Sequence, residues 1–329
     1  MNEHPPGVVV ITGASAGVGR ATAVAFARRR WNVALIARGM QGLEGAGQEV
    51  ERAGGKALTI SADVADAKSV FEAADRIARQ WGGINVWINN AMVTTFSPVA
   101  DISPDEFRRV TEVTYLGCVF GTMAALKHDV RTIVQVGSAL AYRAIPLQSA
   151  YCGAKFAIRG FTDALRSELL HDRSDVRITM VQLPAVNTPQ FGWARNKMRR
   201  RPQPVPPIHQ PETVAEAIFR ASQRTPRELW VGWPSVKAIL GAMIAPRLLD
   251  RLLARGGYDG QLSSEPHDQS RPDNLFRSAP EAHATHGRFD DRARSRAVTL
   301  NPSLVRGAIA IAAAAVLLAV ALFTPSLTG

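Results

Sequence analysis

The stretch Val8-Val-Val-Ile-Thr-Gly-Ala-Ser-Ala-Gly-Val-Gly19 decides the fold. Val8 to Thr12 is an apolar, β-branched run of the kind that forms a buried strand. Gly13, Gly17 and Gly19 follow in a turn that leads into a helical pattern. Without Cβ atoms, the backbone there turns tightly and approaches a pyrophosphate closely. The charge of that pyrophosphate sits among the unpaired N–H groups of the helix N-terminus. Glycines at this spacing mean little alone, and the strand before them and the helix after them make the reading specific.

Outward from this turn, β-rich runs alternate with amphipathic stretches as far as Val231. The runs are Val8–Thr12, Val33–Ala37, Ala57–Ser61, Ile84–Asn89, Thr132–Gly137, Val176–Gln182 and Glu228–Val231. Continuous Val/Ile/Leu strands separated by helices indicate a parallel sheet covered on both faces. This is the doubly wound, Rossmann-like α/β class, here with a helical C-terminal extension. Residues 1–233 are assigned to the dinucleotide-binding catalytic domain and 234–256 to an amphipathic helical extension, within which Pro246 must break or kink the helix. Residues 257–303, polar and low in aliphatics, are read as a linker or a loosely docked segment. Residues 304–323 are read as a membrane-spanning helix.

Composition narrows the function. The formal net charge is +11, but aromatic residues do not interleave with the basic ones, so nucleic acid is not an expected partner. A basic face turned toward anionic lipid fits better. Two cysteines, Cys118 and Cys152, make no disulfide framework, and a reducing compartment is expected. The N-terminus enters a strand without a signal-peptide pattern. No metal site is assigned.

The second strand ends in Ala37-Arg38, where a carboxylate would bond the 2′-hydroxyl of NAD. An arginine and no acid favour NADP(H) over NAD(H). Tyr151 and Lys155 stand four residues apart on a helical stretch and so share a face. An ammonium beside a phenol favours the phenolate and brings its pKa toward the working range. Ser138 closes the strand Thr132–Gly137, where it can face the cleft and bond a substrate oxygen.

Taken together, Thr12-Gly-Ala-Ser-Ala-Gly-Val-Gly19, Asp63-Val64, Asn89-Asn90-Ala91, Ser138, Tyr151-x-x-x-Lys155 and the segment from Pro184 to Pro189 resemble the short-chain dehydrogenase/reductase family, over residues 8 to about 233. The resemblance implies that Tyr151 moves the proton, that Ser138 orients the carbonyl and that Lys155 holds the nicotinamide ribose and tunes the tyrosine. It places Asp63 and Val64 at the adenine, Asn90 and Ala91 along the cofactor, and Thr188 at the carboxamide. Ser15, Val18, Pro184 and Val186 complete the implied cofactor set. Three positions depart from the family pattern: Met92 replaces a glycine, Thr114 stands where a helix asparagine usually orders a water behind the lysine, and Ala185 follows Pro184 in place of glycine. Thr114 is kept among the catalytic candidates, with its part in the proton path left open.

Residues 190–211 are expected to cover the substrate. Phe191, Trp193 and Met198 offer apolar contacts, Met92 and Leu140 join the substrate wall, and Arg199–Arg201 stay solvated. An apolar or lipid-like alcohol or ketone is the expected substrate. A catalytically silent NADP(H)-binding sensor or scaffold is the alternative. Gly307–Phe323 carries no charged or polar side chain and would span about 25 Å as a helix, extended by Leu304 and Val305. Arg292, Arg294, Arg296 and Arg306 precede it, which predicts a single-pass C-terminal anchor with the catalytic domain on the cytoplasmic side. The helix pair in Ser235–Arg255 can rest on the same surface, cap the pocket, or join a homo-oligomer.

Overall fold

The computed structural model describes residues 6–279 and 283–304. The expected anchor, Gly307–Phe323, lies outside them. Among the described residues no helix is long and apolar enough to cross a membrane.

The strands are β1 (Val8–Thr12), β2 (Asn32–Ala37), β3 (Lys56–Ser61), β4 (Val86–Asn89), β5 (Thr132–Ser138), β6 (Arg177–Leu183), β7 (Glu228–Val231) and β8 (Thr299–Leu300). They form one sheet in the order β8-β7-β6-β5-β4-β1-β2-β3. All neighbours run parallel except β7 and β8. The doubly wound sheet expected from the sequence is therefore present. β1 and β5 are buried from end to end, as strands sandwiched between two helical layers must be.

Helices α1 (Gly17–Ala27), α2 (Met40–Arg52) and α7 (Pro211–Arg224) cover one face, packing Phe26, Leu43 and Ile218 against Val9, Ile11 and Val134. On the other face α3 (Ala67–Trp81), α4 (Pro104–Thr111), α5 (Gly117–Lys127) and α6 (Ser149–His171) bury Val70, Ile77, Val110 and Leu165 around Trp87. A π-helical turn, Glu112–Leu116, joins α4 to α5. The strand order reverses between β1 and β4, and a cleft opens there at the carboxyl ends of the strands.

The C-terminal extension differs from its expected form. Two helices, α8 (Gly232–Ile244) and α9 (Pro246–Gln261), break at Ala245-Pro246 as the proline requires. Residues 257–279 and 283–303, read as a linker or a loosely docked segment, run from the end of α9 back across the cleft to the sheet edge. Leu262–Pro266 pairs with Arg200–Pro202, and Thr299–Leu300 is β8. Buried apolar side chains hold the segment down despite its polarity: Leu262 opposite Pro202, Leu275 in the core beside α4, Ala279, and Phe289 against Phe191. A run poor in aliphatics looks like a linker when its few anchors are spaced too irregularly to show a period.

Candidate active site

The glycine turn is built as its residues demand. Gly13 has φ +66°, and a Cβ there would lie 2.7 Å from Ala91 Cα. A Cβ on Gly19 would collide with the Gly13 carbonyl. Thr12 ties this turn to the end of β4. Its hydroxyl accepts from the N–H groups of Asn90 (3.0 Å) and Ala91 (3.1 Å), while Asn90 Nδ2 donates to the Thr12 carbonyl at 2.9 Å. The Asn-Asn-Ala segment thus braces the cradle through the Thr12 hydroxyl and the Asn90 amide, and Asn90 and Ala91 line the cleft.

A single cavity of about 570 Å³ runs from this cradle to the proposed catalytic residues. Gly13, Ser15, Gly17, Val18, Arg38, Asp63 and Val64 line its nucleotide end. Ser138, Leu140, Tyr151, Lys155, Met92 and Phe191 line the other, with Pro184, Val186 and Thr188 between. Trp193, expected at the substrate, lies instead at the nucleotide end, its carbonyl accepting from the Asn274 N–H at 2.9 Å and its ring beside His283. Gly19 sits just behind Gly13. Every expected site residue but Gly19, Thr114 and Met198 therefore borders this one space.

Lys155 is buried, its Nζ donating to the Val136 carbonyl at 2.7 Å and lying 5.6 Å from the centroid of the Tyr151 ring. Ser138 Oγ accepts from the Leu140 N–H at 3.1 Å, which orients the hydroxyl at the end of β5. Desolvation dominates the titration of the pair. Burial pushes the Tyr151 phenol well above its ordinary value, with the Ser138 hydroxyl pulling the other way. Burial also lowers Lys155 to about 8. The lowering of the phenol expected from its lysine neighbour is not seen in this state: burial, the largest cause, sets the direction, since a phenolate is costly to withdraw from water. A protonated Tyr151 is suited to donate a proton to a carbonyl oxygen.

Thr114 does not reach this pair. Fully buried in the π-helical turn, its hydroxyl donates to the Val93 carbonyl at 3.0 Å and accepts from the Val93 N–H at 3.2 Å. It is a brace for the loop that carries Met92, and its side chain is committed away from Lys155.

Sequence reasoning missed the wall over the nucleotide end. Residues 273–279 and 283–290 lie over it as a strap whose main-chain carbonyls meet the donors of the cofactor site. Arg38 Nη2 donates to the Asn274 carbonyl at 2.5 Å and Nη1 to that of Leu275 at 3.2 Å. Arg109 donates to the same Leu275 oxygen at 3.2 Å and pairs with Asp63. The Gly17 N–H donates to Ala284, and Arg20 to His283. Asp273 anchors the strap to Arg195, which also holds Glu106. Asn187 holds Asp290 and the Phe289 N–H. Ser278, Ala279 and His283 face into the cavity, His283 beside the Trp193 ring at 5.0 Å. Backbone carbonyls carry no sequence signature, so nothing in the pattern announced these contacts. The residues present fit a dinucleotide: a glycine cradle closed to any Cβ, the Gly17 N–H and the Arg38 guanidinium lie along one channel, the last two holding strap carbonyls where a nucleotide's phosphates would be held.

Comparison with known proteins agrees. The family model described as short chain dehydrogenase matches residues 7–199. The chain is 33% identical over 277 residues to the uncharacterized oxidoreductase YxnA of Bacillus subtilis, covering 82% of this chain and 77% of that one. It is 28% identical over 238 residues to mouse estradiol 17-beta-dehydrogenase 11, covering 71% and 77%. Among solved structures, an alcohol dehydrogenase from the archaeon Thermococcus sibiricus, complexed with 5-hydroxy-NADP, superposes with a TM-score of 0.58 at 29% identity, covering 68% of this chain and 95% of that one. The chain belongs to the short-chain dehydrogenase/reductase family of oxidoreductases.

Proposed function

We propose that this enzyme interconverts an apolar secondary alcohol and its carbonyl with NADP(H). The observation that carries the reading is the shared cavity, which puts Ser138, Tyr151 and Lys155 at one end of a channel and the glycine cradle with Arg38 at the other. When bound, the dinucleotide supplies or accepts the hydride. Ser138 holds the substrate oxygen by hydrogen bonding, and Tyr151, kept protonated by burial, donates its proton as the carbonyl is reduced. Lys155 places a positive charge behind the phenol as it loses that proton. Met92, Leu140 and Phe191 offer an apolar wall suited to a hydrocarbon substrate.

NADP(H) is preferred on charge. A phosphate monoester is a far stronger acceptor for the Arg38 guanidinium than the two strap carbonyls it now holds. The relatives lend support, one crystallised with an NADP derivative and one named for estradiol, an apolar secondary alcohol. We further propose that Gly307–Phe323 anchors the chain in a membrane with the catalytic domain on the cytoplasmic side. Turnover of steroid-like, retinoid-like and long-chain carbonyl compounds with NADPH and with NADH tests the first reading. Failure of every one, with NADPH still bound, favours the silent sensor. Fractionation of the full chain against a version ending at Pro302 tests the anchor, and equal solubility of the two overturns it.

A further inference from the structure

Helices α8 and α9 carry a face that no other described element covers. On α8, Trp233, Lys237, Leu240 and Ile244 recur at steps of three and four and are all exposed, while Val236 and Ile239 point inward against Trp230. On α9 three rows lie side by side, about 100° apart around the helix. Arg247, Arg251 and Arg255 form an exposed basic row, Leu248 and Leu252 an exposed apolar row, and Leu249, Leu253 and Gly256 a row that lines the cavity. Ile244 is 80% exposed, Trp233 57% and Leu248 56%, so this is bare apolar surface rather than the rim of a core. Leu252 is both half-exposed and a cavity-lining residue, which puts it at the mouth.

Charge selects the partner. Lys237, Arg247, Arg251 and Arg255 have no carboxylate within ion-pair distance among the described residues. The acids of α9 are already engaged, Asp250 with Arg143 and Asp259 with Arg200. A second copy docking this face on itself would bring those cations together, and like charges at an interface are costly. A bilayer with anionic head groups accepts both halves of the pattern. Apolar side chains enter the acyl boundary, and the long basic side chains reach back to the phosphates.

We infer that the α8–α9 face is a docking surface for an anionic lipid bilayer, and that substrate passes from the lipid into the cavity beside Leu252. The docking stands on the surface alone, and the entry route rests on the apolar-substrate reading above.

Tryptophan fluorescence of the full chain in vesicles of brominated phosphatidylcholine, with and without phosphatidylserine, tests the docking. Trp233 is the exposed tryptophan, the other five being buried or partly buried. Quenching is expected with phosphatidylserine, reduced by salt, and lost in Trp233→Phe. Equal quenching in wild type and Trp233→Phe overturns the docking. So does quenching that is indifferent to phosphatidylserine and salt, since the C-terminal segment alone can hold the chain on neutral vesicles. The entry route is tested by Ile244→Glu with Leu248→Glu, both surface positions. The expected result is a rise of about tenfold or more in KM for a long-chain ketone carried in vesicles. Values for a short water-soluble ketone stay the same. A change shared by both substrates, or seen in neither, overturns the entry route. If no carbonyl compound is turned over at all, the proposed activity fails and the entry route with it, while the quenching result still decides the docking.

Discussion

The cleft has two ends made of opposite materials, and one C-terminal extension closes both. Over the nucleotide end lies the strap, which meets Arg38, Arg109 and Gly17 with main-chain carbonyls. Over the substrate end lie α8 and α9, which offer Ala238, Leu249 and Leu253, with Ser235 and a Gln261 whose amide is already held by Gln148, Pro146 and Gly257. Fixed polar groups reject a ligand that leaves them unpaired by factors of about 10⁴ or more, whereas an apolar wall distinguishes one methylene by only about 10–200-fold. This enzyme should therefore be strict about its cofactor and tolerant of its substrate.

The sharpest way to separate the ends is to remove the proton donor between them. Tyr151→Phe should lower kcat by about 10²–10⁴-fold. It should leave NADPH affinity by calorimetry within a factor of about two, because the phenol faces the substrate. Loss of cofactor binding in this variant would mean that the two ends are one coupled unit. Lys155 sharpens the same point through pH. With its ammonium lowered to about 8 by burial, the supporting charge is present below that pH and lost above it. The reduction kcat/KM should fall as pH rises through about 8.

Next in size is the nucleotide end. Arg38→Gln removes a charged donor whose bonds are worth about 1.5–3 kcal/mol, so NADPH should bind about 10–100-fold more weakly while NADH changes little. Equal losses for both would assign Arg38 to holding the strap rather than to reading the phosphate. The substrate end should respond less. Met92→Ala removes an apolar contact worth about 1–2 kcal/mol and should raise KM for long-chain ketones about tenfold, with short ketones unaffected.

The two ends were also unequally legible. The cradle, Ser138, Tyr151 and Lys155 could be read because side-chain chemistry and backbone freedom are written into residue type. So could the sheet, since β1 and β5 are continuous apolar runs. The strap could not be read: its contacts run through the carbonyls of Asn274, Leu275 and Ala284, and any residue has a carbonyl. Arg109 was passed over for a related reason, since its partner Asp63 lies 46 positions away. Thr114 was placed correctly along the chain, but whether its hydroxyl turned toward Lys155 or Val93 depended on packing. Burial likewise set the direction of the Tyr151 shift, and burial is a property of the fold.

The smallest expected effect concerns what holds the strap in place. Glu106 caps α4 through Ser103 and accepts from Lys197 and from Arg195, the residue that grips Asp273 on the strap. Its carboxyl is buried, which alone would raise its pKa, yet these donors hold it down at about 2. The folded value lies below the unfolded one, so this contribution is complete above about pH 4.5 and is lost as pH falls toward 2. Glu106→Gln should therefore lower stability at pH 7 and flatten its decline between pH 4.5 and 2, as read by urea denaturation across that range. If the strap depends on this cluster, the variant should also release NADPH severalfold faster at neutral pH, with KM for the ketone unchanged. A variant that loses stability but keeps the wild-type NADPH release rate would show that the strap is held by Leu275 and Phe289 alone, and that its ion pairs only decorate the surface.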